Sequence, residues 1–208
     1  RRLAPNLPQS GRRARGGCAP CRAPPYSGPM HQALADHLRR HALRRGDFVL
    51  RSGARSDWYV DARATTFTGE GAGLVAEAVL AVLAPEVTAL GGPTQGADPI
   101  AVATALVGTS RGRPLSAFSV RSRPKDHGTG GRLVGPVGPA DRVAVVEDTT
   151  TTGGSLLDVV NVLTAEGITV VQAVTLVDRS GGGVAAAFAS RGIPYRALFS
   201  PADLGVGP

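Results

Sequence analysis

Hydrophobic positions along the chain fall into two alternating patterns, one typical of strands and one typical of helices. Short continuous apolar runs rich in β-branched residues predict buried strands. These runs cover residues 48–50, 58–60, 87–90, 115–120, 143–146, 170–177 and 195–199. Apolar residues spaced three and four positions apart predict helices with one buried face, over residues 31–45, 73–84, 98–107, 155–166 and 184–190. Because strands and helices alternate, we expect an α/β fold with a central, mostly parallel sheet flanked by helices.

One strand–loop–helix unit, residues 142–166, also carries residues suited to binding an anion. Its loop contains four threonines and two glycines, and such loops lie at the carboxyl edge of a parallel sheet, where ligands bind. The glycines let backbone N–H groups approach an anion, and the positive end of the helix dipole favours a phosphate. Thr151, Thr152 and Ser155 add hydroxyl donors. The unit therefore predicts a phosphate site.

The two acids that follow the apolar run of this strand suit a sugar rather than a phosphate. Glu147 and Asp148 can accept hydrogen bonds from sugar hydroxyls, or can share a Mg²⁺ ion with the ligand. Phosphate donors next to carboxylates indicate a ribose-5-phosphate site. The alternative is a threonine-rich turn that merely caps a helix, which would explain the Gly-Gly-Ser sequence alone. The acid pair and the preceding strand favour the binding site.

This unit resembles the signature of the type I phosphoribosyltransferases, which bind 5-phosphoribosyl 1-diphosphate (PRPP). The resemblance implies that Glu147 and Asp148 contact the ribose, with Asp148 at the catalytic centre, and that Mg²⁺ binds mainly through PRPP, with its direct protein ligands unknown. It also implies that the loop holds the 5-phosphate through Thr149, Thr150, Thr151, Thr152, Gly153, Gly154 and Ser155. No Gly-Lys-Ser/Thr sequence of a P-loop and no dinucleotide-binding fingerprint is present.

A second, long loop is predicted over residues 121–137, which show no apolar periodicity, and its first part, loop 121–131, concentrates basic side chains. Arg121, Arg123, Lys125 and His127 lie within seven positions. Basic groups on a mobile loop can neutralise a departing diphosphate and exclude water from the reacting centre. A solvated surface loop is the alternative interpretation.

The core of this loop, Lys-Asp-His-Gly, resembles the catalytic loop of the orotate phosphoribosyltransferases. The resemblance implies that Arg121, Lys125 and His127 close over the diphosphate. It also implies a homodimer in which loop 121–131 is shared across the interface. This match is more specific than the PRPP signature, because many base-salvage enzymes share that signature.

Three further stretches agree with this family. Leu-Arg-Ser-Gly at 50–53 resembles the family's Leu-Lys-Ser-Gly, and Trp-Tyr-Val-Asp at 58–61 resembles an aromatic strand beside the orotate pocket. Both belong to a predicted hairpin that would form a small N-terminal hood. The resemblance implies that Arg179 pairs with orotate, because a guanidinium can donate two parallel hydrogen bonds to an acidic planar ring. A surface arginine closing a strand is the alternative. Orotate contacts are thus expected from Arg179, Arg51, Tyr59 and Thr151, and Arg51 is expected to contact PRPP as well.

Two positions depart from the family pattern. Many members carry lysine where this chain has Ser122, and many carry lysine in the glycine-rich loop where this chain has Gln95. Arg123 can substitute for the first lysine, but the sequence offers no substitute for the second. Binding of the diphosphate would then rest more on Mg²⁺ and on loop 121–131.

The charge of the chain is unevenly distributed. The net charge is +7 and the isoelectric point about 10.6. Residues 1–29 hold six arginines and no acid, which leaves +1 for residues 30–208. A nearly neutral folded part lacks the basic face that nucleic-acid binding requires, so we expect no nucleic-acid partner. No stretch of about 18 uninterrupted apolar residues is present, so we expect no membrane partner.

Residues 1–29 are rich in glycine and proline and show no apolar periodicity, so we expect a disordered basic extension. Residues 30–208 would form one phosphoribosyltransferase domain. Two alternatives stay open for the extension, a targeting sequence or a stretch that is not native, with Met30 as the true first residue. Cys18 and Cys21 lack the two further ligands that zinc needs. We therefore expect a disulfide-free, cytoplasmic protein.

Together these features predict an orotate phosphoribosyltransferase, which makes orotidine 5-phosphate and diphosphate for pyrimidine biosynthesis. Two alternatives remain open at this point. One is a paralogous enzyme for another base, and the other is a catalytically inactive regulator that senses PRPP.

Overall fold

The computed structural model describes residues 28–49, 53, 55–124 and 131–207. The helices are α1 (Pro29–His41), α2 (Arg63–Thr66), α3 (Gly69–Val82), α4 (Asp98–Ser110), α5 (Gly154–Ala165) and α6 (Gly183–Ala189). The strands are β1 (Leu43–Val49), β2 (Arg55–Val60), β3 (Ala89–Pro93), β4 (Ser116–Val120), β5 (Leu133–Val134), β6 (Arg142–Thr150), β7 (Thr169–Asp178) and β8 (Tyr195–Phe199). A short 3-10 helix, Ala202–Leu204, follows β8.

The central sheet has the strand order β5-β4-β3-β6-β7-β8. Every neighbouring pair in it is parallel except β4 and β5, which run antiparallel. The mostly parallel sheet expected from the sequence is confirmed. The order reverses direction between β3 and β6, and ligands of open α/β sheets bind beside such a reversal.

Two hydrophobic clusters cover the two faces of the sheet. On β6, Ala144 and Val146 pack into the cluster that includes α1, α3 and α4, whereas Val143 and Val145 pack into the cluster that includes α5 and α6. This two-residue alternation explains why the strand is apolar at every position. Each fully buried valine contributes about 1.5–3 kcal/mol of hydrophobic stabilisation. The sheet therefore gives the residues at its carboxyl edge a rigid base.

A separate antiparallel hairpin of β1 and β2 forms the small N-terminal hood. Its register pairs Leu43 with Val60 and Arg45 with Trp58, and it shifts between Arg45 and Phe48. Trp58 and Val60 belong to the same buried cluster as α1. The hood is thus anchored through one face of β2 to the main body.

The predicted helix 31–45 is wrong at its C-terminal end. Helix α1 ends at His41, and Leu43 already begins β1. Leu34, Leu38 and Ala42 keep helical spacing and are fully buried, which explains the prediction. Pairing with β2 determines the conformation after Ala42, and tertiary contacts of this kind override local propensity.

Other boundaries also differ from the sequence-based prediction. Helix α3 begins four residues early, because the Thr68 hydroxyl accepts a hydrogen bond from the Gly71 N–H at 3.0 Å and caps the helix. The segment 121–137, predicted as a loop, contains the short strand β5 on the edge of the sheet. Helix α2 was not predicted. Within the described residues, no helix has the length and apolar character needed to cross a membrane.

Candidate active site

A cavity of about 450 Å³ opens at the carboxyl edge of the sheet, where the hood, the loop after β3 and the end of β6 meet. Its described lining comes from three separate parts of the chain. The lining residues are Tyr59, Val60, Asp61, Arg63, Pro93, Thr94, Gln95, Gly96, Glu147, Asp148, Thr149 and Ser155. The structure thus brings together five of the predicted site residues: Tyr59, Glu147, Asp148, Thr149 and Ser155.

The loop after β3 lies directly against the acid pair. A Cβ atom placed on Gly96 would overlap the Asp148 carboxylate, with the Asp148 Cγ atom only 2.8 Å away. The loop is tied to β4 by a 2.9 Å hydrogen bond between the hydroxyls of Thr94 and Ser119, and its Thr94–Gln95 peptide bond is cis. Glycine at position 96 therefore lets this backbone approach Asp148.

The carboxylates of Glu147 and Asp148 occupy a poorly solvated position. Glu147 is only 8% exposed, and its Oε2 atom has no hydrogen-bond partner in the described part of the chain. Burial, followed by the negative charge of Asp148, raises the pKa of Glu147 to about 8. Burial also raises the pKa of Asp148, although the Thr149 N–H donates to its Oδ1 atom at 2.8 Å. Acceptors held in this way suit the hydroxyl groups of a ligand.

The raised pKa of Glu147 predicts a pH-dependent stability. The folded state holds this proton up to about pH 8, whereas the ordinary pKa is 4.5, so the stabilisation is complete below about pH 4.5 and is lost as pH rises through 8. We expect the free energy of unfolding of the wild type, relative to Glu147→Gln, to fall by on the order of 3 kcal/mol between pH 5 and pH 8.5. Denaturant titrations of both proteins at each pH measure this difference, in which the titrating groups that do not interact with Glu147 cancel. A constant difference would contradict the buried position of Glu147.

The turn from β6 into α5 contains the residues that the sequence predicts to bind a phosphate. Gly153 adopts the left-handed conformation, with φ of 75°, and precedes the first helical residue, Gly154. The Gly153 N–H donates to the Thr150 hydroxyl at 3.1 Å, and Thr150 is only 5% exposed. Thr151 and Thr152 are exposed. Gly153 at the N-cap has no side chain, and the Thr152 hydroxyl accepts a hydrogen bond from the Gly154 N–H at 3.4 Å, so the following amides of α5 and the exposed hydroxyls are suited to an anion.

Arg179 lies just beyond β7, at the same edge of the sheet but outside the described cavity lining. Its backbone N–H donates to the Thr150 carbonyl at 2.8 Å, and its guanidinium lies 4.6 Å from the centre of the Trp58 ring in the hood. The buried Nε atom has no partner in the described residues, and burial lowers the pKa of the side chain. Arg179 thus links the sheet to the hood and retains an unpaired donor.

The structure describes only one of the four basic residues expected to bind PRPP. Lys125, His127 and Arg51 lie among residues that the structure does not describe, so their roles stay predictions. Arg121 is described, but it lines a neighbouring depression together with Arg132 instead of the cavity. Among the described residues, no group of three or more His, Cys, Asp or Glu side chains could hold a metal ion.

Sequence reasoning missed the one cation of the described cavity lining, Arg63. It lies on the first turn of α2, which had not been predicted. Its partner Asp61 had been noted only as the end of the aromatic strand, with no role given to its side chain. The alternation in β2 could have indicated that Asp61 shares the exposed face of Tyr59, because Trp58 and Val60 are buried and Tyr59 points to the opposite face.

Comparisons with known proteins agree with this architecture. No family model matches the chain. An orotate phosphoribosyltransferase of Thermosynechococcus vestitus is 44% identical over 84% of this chain and 93% of its own length. One of Streptomyces avermitilis is 42% identical over 84% of this chain and 96% of its own length.

Solved structures of phosphoribosyltransferases also match the fold of this chain. Mycobacterium tuberculosis orotate phosphoribosyltransferase in complex with PRPP matches 86% of this chain and all of its own, with a TM-score of 0.71 and 35% identity. A phosphoribosyltransferase from Corynebacterium diphtheriae matches 85% of this chain and 99% of its own, with a TM-score of 0.75 and 35% identity. The fold is that of a type I phosphoribosyltransferase. Within that class, the chain belongs to the orotate phosphoribosyltransferase family.

Proposed function

We propose that this protein transfers the 5-phosphoribosyl group of PRPP to orotate, giving orotidine 5-phosphate and diphosphate. The observation that carries the proposal is the acid pair, the buried Glu147 and the half-buried Asp148, on the wall of a cavity that Ser155 of helix α5 also lines. This arrangement offers acceptors for ribose hydroxyls next to donors for the 5-phosphate. The family relationship supplies the base, because the relatives compared above are orotate phosphoribosyltransferases.

The residues present fit a Mg²⁺ ion that is bound mainly by the substrate. The unpartnered Oε2 atom of Glu147 and the carboxylate of Asp148 are oxygen ligands of the kind Mg²⁺ accepts. No all-protein metal cage exists within the described residues, so most ligands would come from PRPP and water. When bound, the ion neutralises charge on the diphosphate.

In the reaction, N1 of orotate forms a bond to C1 of the ribose as the C1–O bond to the diphosphate breaks. The diphosphate leaves with the bonding electron pair, and the N1 proton is lost. Asp148 would hold the ribose and offset the positive charge that develops on its ring, while the loop after Thr150 fixes the 5-phosphate. Positioning and electrostatics thus carry most of the rate enhancement.

The remaining roles follow the resemblance. Arg121, Lys125 and His127 would close over the diphosphate, with loop 121–131 of one subunit completing the active site of the other in a homodimer. Arg51, Tyr59 and Thr151 would contact orotate, and of these Tyr59 lines the cavity. The expected cytoplasmic location also stays a prediction. A paralogue for another base, or an inactive PRPP sensor, would keep the PRPP site but not turn over orotate.

We expect Arg179→Ala to raise the KM for orotate by about 10–100-fold, with the KM for PRPP changed less than about threefold. The reason is that the Arg179 guanidinium lies at the edge of the sheet against the Trp58 ring of the hood, and the family resemblance implies that it pairs with the acidic base. Initial rates of orotate consumption, coupled to release of one diphosphate per orotate, measure both constants. Arg191→Gln is the control, because Arg191 is exposed and bonds to Asn161 away from the cavity. An unchanged KM for orotate in Arg179→Ala would remove Arg179 from the base pocket.

A further inference from the structure

Arg63 occupies a fixed position on the wall of the cavity. The Arg63 guanidinium donates two hydrogen bonds to the Asp61 carboxylate, from Nε to Oδ1 at 2.8 Å and from Nη2 to Oδ2 at 3.1 Å. The Arg63 backbone N–H also donates to Asp61 Oδ1, at 3.2 Å. The Nη1 group makes no hydrogen bond within the described residues, so one edge of the guanidinium remains available to a ligand.

The charge of the cavity indicates what the free edge of the Arg63 guanidinium can bind. The described lining contains three carboxylates, from Asp61, Glu147 and Asp148, and Arg63 is its only cation. Gln95, on the loop after β3, lines the same cavity and is neutral. The Arg63 charge acts against the raised pKa of the Asp148 carboxyl, so its field reaches the acid pair. A cavity with this excess of negative charge needs a cation to accept an anionic group.

We propose that Arg63 binds the diphosphate group of PRPP, with Asp61 as the residue that positions it. This assignment rests on the proposed function. It gives the cavity the cation that many family members supply as a lysine at the position of Gln95. A guanidinium suits the role because its fork can give two hydrogen bonds to phosphate oxygens. Asp61 occupies the Nε and Nη2 donors and leaves the Nη1 donors toward the ligand. The competing explanation is that Arg63 only neutralises Asp61 and stabilises the turn from β2 into α2.

The test compares ligands that contain a diphosphate with one that does not. In Arg63→Gln, we expect the KM for PRPP to rise by about 10–50-fold and calorimetric binding of inorganic diphosphate with Mg²⁺ to weaken by a similar factor. Binding of orotidine 5-phosphate, which carries the 5-phosphate but no diphosphate, should stay within about twofold. Arg63→Lys should be intermediate, because it keeps the charge and loses the fork.

Two further variants separate the proposal from its competitor. Arg111→Gln is the matched control, because Arg111 also forms a two-pronged pair, with Glu77, away from the cavity, and it should bind all three ligands as the wild type does. The double variant Asp61→Asn/Arg63→Gln should remain as defective as Arg63→Gln. Recovery of diphosphate binding in the double variant would show that Arg63 merely neutralises Asp61.

The remaining outcomes distinguish failure of the Arg63 assignment from failure of the proposed function. Wild-type turnover of orotate together with unchanged diphosphate binding in Arg63→Gln would overturn the assignment of Arg63 alone. Equal weakening of diphosphate and orotidine 5-phosphate binding would indicate a general structural defect and also overturn it. A wild-type protein that fails to bind PRPP would overturn the proposed function, and the assignment with it.

Discussion

Replacement of Asp148 by asparagine is expected to lower kcat by about 10²–10³-fold while leaving the fold intact. Asparagine has the same shape and can still accept the hydrogen bond from the Thr149 N–H, so the local backbone should not change. It removes the charge that would offset positive charge on the ribose ring in the transition state. Because burial already disfavours the charged form of Asp148, the variant should be at least as stable as the wild type. Turnover at saturating PRPP and orotate measures the effect.

The control for this prediction is another carboxylate-to-amide change. Glu86 is exposed in the connection between α3 and β3 and is absent from the cavity lining, so Glu86→Gln should keep wild-type turnover. Thermal unfolding of both variants checks that neither has lost its fold. Near-wild-type turnover in Asp148→Asn would show that the acid pair does not have the role assigned to it.

The second large effect is expected from Gly92→Ala, which should reduce the free energy of unfolding by about 3 kcal/mol. Gly92 is buried in β3 beside β6. A Cβ atom there would overlap the Val146 carbonyl oxygen and lie 2.8 Å from the Cβ atom of Ala97. The two strands would have to separate at the residue that precedes Glu147. We therefore expect the acid pair to be displaced and kcat to fall together with stability.

The matched substitution is Gly73→Ala, which should have the opposite sign. Gly73 lies within α3, its backbone is not left-handed, and a Cβ atom there would meet nothing within 4 Å. Alanine should stabilise the helix by about 0.5–1 kcal/mol. Denaturant unfolding curves of the two variants give both values. A loss of less than about 1 kcal/mol for Gly92→Ala would contradict the tight approach of β3 to β6.

The part of the site that the sequence predicts well is local in the chain. Glu147, Asp148 and Ser155 belong to one strand–loop–helix unit, whose apolar period determines where the strand lies and which edge of the sheet the acids occupy. Both acids line the cavity because they lie near the end of β6, at the carboxyl edge of the sheet. For this reason this wall of the cavity could be located from about 25 consecutive residues.

The part that could not be predicted depends on contacts between distant segments. Arg63 lines the same cavity as Asp148 only because the segment after β2 packs near the end of β6, and Arg179 reaches Trp58 across the gap between β7 and the hood. No local period encodes such pairings. The misplaced end of α1 has the same origin, since pairing of Leu43 with Val60 decides that boundary.

The central claim is the identity of the base, and one measurement tests it most directly. The full chain is mixed with PRPP and Mg²⁺, and consumption of orotate, uracil, adenine and nicotinate is followed in parallel. The account predicts rapid loss of orotate alone, with one diphosphate released for each orotate consumed. Turnover of another base in preference to orotate, or PRPP binding without turnover of any base, would contradict it.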